Sequence, residues 1–193
     1  MVIKQLFSVA AMILTFVTYV PYVRGVAQGA IRPHVFTWTI WGFCTAVVFF
    51  AQIQGGAGVG SWAIGFSACI AFYIAWLSGR SGIPLEITRT DWVFLIASLS
   101  VLPAWLFTNN AMYAVIILTA VDLAGFGPTF RSAYVFPFRE HMTFFALGAL
   151  RNVLVIVAVE HYSTTTVLFP AAGTLACVAL VVLIAYRRAQ LRT

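Results

Sequence analysis

Seven apolar windows divide this chain, roughly residues 5–22, 35–53, 60–78, 92–107, 111–130, 142–159 and 164–186. A helix that crosses a bilayer needs about 20 mostly apolar residues, and hydrocarbon admits only segments that satisfy their own backbone hydrogen bonds. Each window meets or approaches that length, the fourth being the shortest and carrying Pro103. The chain is therefore read as an all-α membrane protein with seven transmembrane helices. Composition agrees, since 62% of the 193 residues are hydrophobic and 8% are charged, against about 25% charged residues in soluble domains. The longest polar connection, from about Ser78 to Asp91, is only a loop, so residues 1–193 are expected to form a single membrane domain.

The formal charge of +6 does not point to nucleic acid, because basic residues in a membrane chain mark the cytoplasmic loops. Nine of the eleven basic residues, Arg24, Arg32, Arg80, Arg89, Arg131, Arg139, Arg187, Arg188 and Arg192, fall in the odd-numbered loops and at the C-terminus. Lys4 lies at the N-terminus and Arg151 inside a window. An integral multi-pass protein of a bacterial-type inner membrane is expected, N-terminus outside and C-terminus in the cytoplasm. Trp38, Trp41, Trp62, Trp76, Trp92 and Trp105 lie near window ends, where interfacial rings belong.

The two halves resemble each other. An offset of 107 residues pairs Pro21 with Pro128, Arg24 with Arg131, Arg32 with Arg139 and His34 with His141. An offset of 108 pairs GFSACIA, Gly65 to Ala71, with GTLACVA, Gly173 to Ala179. Residues 1–80 and 109–193 then form two three-helix units, with 81–108 as a linker helix. Four helices separate equivalent positions, an even number, so the repeats enter the membrane from the same side and are parallel. The repeat also argues that the N-terminal stretch is retained as the first helix rather than removed as a signal peptide.

In this plan, in the outside N-terminus, and in a proline near the cytoplasmic end of each unit's first helix, the chain resembles the SWEET and PQ-loop superfamily of small membrane transporters. The naming dipeptide reads Pro21-Tyr22 and Pro128-Thr129 here. The resemblance implies a SWEET-like fold and transport by alternating access, with Pro21 and Pro128 as symmetry-related hinges. Nicotinamide riboside transporters are similar in plan, so both a sugar and a vitamin-like solute stay open.

Asp122 and Arg151 are the candidate site residues, because a charge near the centre of a span costs roughly 2.5 to 3.5 kcal/mol. Counted from the loop between the fifth and sixth windows, both reach similar depth, which suggests an ion pair completed by Asn152. The alternatives are an Arg151 that holds a polar or anionic substrate group and an Asp122 that exchanges a proton. Cys69 and Cys177 occupy equivalent positions and are expected near the axis between the units; Ser67, Tyr73 and Thr174 are further cavity candidates. His34 and His141 are read as headgroup or loop contacts, and no metal cluster or cofactor motif is expected. With Lys4 the only lysine, a retinal Schiff base in the seventh helix is excluded, and no catalytic motif points to an enzyme. The expected function is transport of a small polar solute; the alternative is a non-transporting membrane receptor or scaffold subunit. The bilayer is the expected partner, and a homo-oligomer is left open.

Overall fold

The computed structural model describes residues 2–29, 35–80, 89–108, 110–138, 140 and 142–191. Among them all regular structure is helical: α1 (Val2–Ala27), α2 (Val35–Gln54), α3 (Trp62–Gly79), α4 (Arg89–Leu99), α5 (Val101–Thr108), α6 (Ala111–Gly125), α7 (Gly127–Val135), α8 (Met142–Ala158) and α9 (Thr164–Gln190). Four stretches are long and apolar enough to cross a bilayer: Val2–Ala27, Gly58–Gly79 with its leading 3-10 turn, Ala111–Val135 and Thr164–Gln190. The chain is an α-helical membrane protein. Leu6, Ile13, Phe16, Leu175 and Val182 are exposed on these helices, as lipid contact requires.

Breaks in the helices have chemical causes. The fourth window is two helices, parted at Ser100; Pro103 lacks the N–H that would bond Leu99, and its ring crowds that carbonyl. The fifth window is also two, parted at Phe126, and Pro128 sits in the first turn of α7, where a missing N–H costs nothing. Pro21, by contrast, lies inside α1. The two prolines paired by the repeat therefore occupy different helical settings. Arg32, His34, Arg139 and His141 lie outside the described residues.

Packing has a regular order. α3 packs on both α1 and α2; α9 packs on α8 and on both α6 and α7. Across the middle, α1 meets α8 and α2 meets α6. The largest core cluster joins Ala11, Ile40, Val48, Ile64, Ala114, Leu118 and Val155 from five of these helices. Threonine hydroxyls inside the helices donate to the carbonyl four residues earlier, Thr45 to Trp41 at 2.7 Å and Thr119 to Val115 at 2.6 Å, so these O–H groups are not left bare in hydrocarbon.

At the end that carries Lys4, two turns are joined. α2 ends in a Schellman turn, with Ala57 N–H on the Gln52 carbonyl at 2.9 Å and Gly56, at φ +79°, donating to Ile53. The following residues pair with the α8–α9 turn: Glu160 N–H donates to Ala57 O at 3.0 Å and His161 N–H to Gly56 O at 3.1 Å. Lys4 Nζ donates to Val159 O at 2.7 Å and Glu160 O at 3.2 Å, placing a cation on carbonyls at the α8 C-terminus. Gly60 has no room for a side chain, because a Cβ there would lie 2.7 Å from Val159 N. At the opposite end Arg187 donates to Tyr134 O and Arg188 to Pro137 O and Glu140 O, all within the second half of the chain.

One further link explains a buried polar side chain. Pro170 lies inside α9 and cannot donate to the Thr166 carbonyl; Gln52 of α2, fully buried, donates Nε2 to that carbonyl at 3.0 Å. Gln52→Leu is expected to lower stability by about 1–3 kcal/mol by leaving that carbonyl bare. Pro170→Ala restores the missing N–H, so in that background the loss should shrink below about 1 kcal/mol. Unfolding of the four variants in detergent checks this; equal losses in both backgrounds would refute the link.

Candidate functional site

The polar centre of the molecule is built around Arg151. This residue is the tenth of the 17 in α8, so its Cα lies near mid-helix. Its guanidinium reaches two helices from the first half of the chain: Nε donates to Thr15 Oγ1 on α1 at 3.1 Å, and Nη2 donates to the Ala63 carbonyl on α3 at 2.9 Å and to Ser67 Oγ. Nη1 donates to Asn152 Oδ1 at 2.8 Å. Four of the five N–H donors of the side chain are thereby used.

The acceptors are free because of local helix chemistry. Thr15 gives its own proton to Ala11 O at 2.8 Å, and Ser67 gives its proton to Ala63 O at 2.9 Å. Each oxygen then offers lone pairs to the guanidinium. Asn152 is held from behind, since a Cβ on Gly173 of α9 would lie 2.8 Å from its Nδ2. Gly65, the repeat partner of Gly173, plays the same part for α3 against α2, where a Cβ would meet the Phe49 ring at 2.7 Å. The shared sequence motif thus marks the close approach of α3 to α2 and of α9 to α8.

Asp122 is not on Arg151. Among the described residues no ion pair joins them, and the guanidinium is occupied by Thr15, Asn152, Ala63 and Ser67 instead. The expected pair is corrected for a geometric reason: α8 packs on α1, and α6 on α2 and α9, so the two charges are drawn to different neighbours. Tyr19 and Cys177 each lie near enough to both Asp122 and Arg151 to feel their charges. Tyr19 is fixed there by edge-on contacts with Trp38 at 6.3 Å and Phe144 at 6.2 Å between ring centroids.

The other candidates separate clearly. Ser67, Asn152 and Arg151 are in direct contact, and Cys177 is buried against Phe145, Ala149 and Leu180. Cys69 and Tyr73 are exposed and line an outer groove between α1 and α3. The expected approach of both Cys69 and Cys177 to a common axis is corrected accordingly: one faces outward and one inward. Thr174 donates to Pro170 O at 2.7 Å on its own helix. The 107-residue offset sets Thr15 opposite Asp122 without revealing it as an acceptor for Arg151, and neither Tyr19 nor Gln52 stands out among the sequence motifs. A polar residue ending an apolar run, as Gln52 does, is the signal that was there to read.

Comparison with protein-family models, with curated proteins and with solved structures gives no significant match to this chain. Its site therefore rests on its own geometry.

Lysine carries the same charge as arginine but has no planar fork to reach α1, α3 and Asn152 together. Arg151→Lys is expected to cost at least about 2 kcal/mol, the scale of one or two hydrogen bonds to a charged group. Gly173→Ala should weaken the same network by displacing Asn152, whereas Tyr73→Phe and Cys69→Ser should stay within about 0.5 kcal/mol of the parent. Thermal unfolding in detergent checks this, and a tolerated Arg151→Lys would show that the fork is dispensable.

Proposed function

We propose that the protein is a transporter of a small polar solute that works by alternating access between two parallel three-helix units, with α4 and α5 as the linker. The observation that carries this reading is the buried polar cluster at the meeting of the units, where Arg151 of one unit is bonded to α1 and α3 of the other. Cargo that must leave water needs such groups at mid-depth, and spans tolerate them only at a cost. Equivalent packing in the two halves supports the repeat: the third helix contacts the first and second in each, and the cross-contacts α1–α8 and α2–α6 are the same pair exchanged. This is the plan of the SWEET and PQ-loop transporters, to which the sequence is similar.

In this reading the state seen here is closed at the Lys4 end, taken as the outside, by the paired turns around Gly60 and Glu160. Opening would separate those turns while α1 bends at Pro21 and the α6–α7 span at Phe126 and Pro128. Asp122, which receives no hydrogen bond among the described residues, is the group left to take a proton or a cationic part of the solute. The remaining Nη1 proton of Arg151 faces a polar or anionic part. The arginine-rich end lies in the cytoplasm of a bacterial-type inner membrane, by the distribution of loop charge.

One observation favours the second reading, a non-transporting receptor or scaffold subunit: Arg151 already has most of its donors satisfied by protein. A screen of the purified protein for thermal stabilisation by sugars, amino acids, nucleosides and vitamins separates the two, followed by uptake of any stabiliser into proteoliposomes. The transporter reading expects a stabilising solute that is carried across, with the effect lost or reduced about tenfold or more in Asp122→Asn. Binding without uptake would support the receptor, and neither would support the scaffold.

The closed end gives a separate check. Gly60→Ala should wedge the paired turns apart, so that a single thiol introduced by Ser8→Cys, normally under the Val59 carbonyl, reacts faster with an impermeant reagent from that side. An unchanged rate would mean that this end does not open.

A further inference from the structure

The outer groove between α1 and α3 has a composition that the interior site does not explain. It encloses about 390 Å³ and its lining includes Tyr19, Val20, Val23, Cys69, Ile70 and Tyr73, with Arg24 at one end. The lining residues of α1 follow a single stripe that ends at Arg24, in the last turn of that helix. On α3 the matching stripe runs on from Tyr73 to Trp76 and Arg80: Trp76 stacks on Tyr73 with centroids 5.8 Å apart, and Arg80 sits over the Trp76 ring at 4.8 Å. α1 and α3 run in the same direction, separated by one reversed helix, so both arginines belong to the same end. An apolar channel on the outer face of two spanning helices thus leads to two exposed guanidinium groups, one of them held on aromatic rings.

The geometry points to a binding site for one anionic phospholipid, its acyl chain along the groove and its phosphate at Arg24 and Arg80. Position decides the class of occupant: the groove opens on the lipid-facing side of α1 and α3, where acyl chains are in excess of anything else. Charge decides the headgroup, since among the described residues that line the groove none is acidic to neutralise Arg24, and a zwitterionic lipid brings a cation of its own. Basic pockets between transmembrane helices bind anionic headgroups in this manner, and juxtamembrane arginines favour them by amounts that correspond to about fivefold each. The groove has room for the greater part of one acyl chain. The proposal does not rest on the transport reading: its charged groups, Arg24 and Arg80, are apart from the interior cluster, and Tyr19 on the inner wall is the residue the two share.

The test is native mass spectrometry of the purified protein in detergent with added phosphatidylglycerol or phosphatidylcholine. The parent should retain one phosphatidylglycerol with at least about tenfold preference. Arg24→Gln and Arg80→Gln should each reduce that preference about fivefold and together abolish it. Cys69→Trp, which fills the groove at an exposed position, should lower retention of the lipid itself, and Arg187→Gln, outside the groove, should change nothing. Equal retention of the two lipids by the parent, which needs no variant to fold, would overturn the proposal. So would a preference that survives the double arginine change, or a dimer cross-linked through Cys69 that displaces the lipid, since the groove would then be seated against a second copy.

Discussion

Hydrocarbon offers no hydrogen bonds, and two polar demands inside this protein's helices, the Arg151 guanidinium and the Thr166 carbonyl, are met by partners on other helices. Arg151 is the larger case. A guanidinium at the middle of α8 is tolerated because α1 and α3 present it with acceptors whose own protons are already given to their helices. The same bonds hold one half of the molecule to the other, so the fold at its centre and the polarity of its centre are a single arrangement. Removing the charge and removing the contact between halves are not separable acts.

Much of the architecture was legible beforehand. Window boundaries were read to within a few residues for α2, α8 and the start of α9, because apolar length is a direct physical requirement of the bilayer. Helix breaks were harder. Pro103 stands in the shortest window and Pro128 pairs with Pro21 in the repeat, yet α6 ends at Gly125 and Pro128 lies at the start of α7. A proline announces that a backbone bond is missing; whether it ends a helix, begins one or sits within one depends on what surrounds it. The site was legible as residue types at a depth, and not as partners. Arg151, Asn152 and Ser67 converge because α8 lies against α1 and α3, a fact of packing order that no linear spacing contains.

The motif shared by residues 65–71 and 173–179 serves similar packing at its glycines and different surroundings at its cysteines. Gly65 and Gly173 do equivalent work at the approach of neighbouring helices, and that is where the shared motif persists. Cys69 and Cys177, four residues further on in the same motif, point to lipid and to the interior respectively. Thr15 and Asp122 are paired by the repeat, and one serves as an acceptor for the arginine while the other carries a charge.

Gln52 and Pro170 bear on how the protein comes into being in the membrane. The ninth helix enters the bilayer with a carbonyl that its own backbone cannot reach, and the amide that covers it belongs to a helix made more than a hundred residues earlier. Until the two meet, the last helix is an incomplete lipid-soluble object. Its final seating is therefore coupled to the second helix already being in place, and the late-made half of the chain carries in its own sequence a requirement for the early-made half.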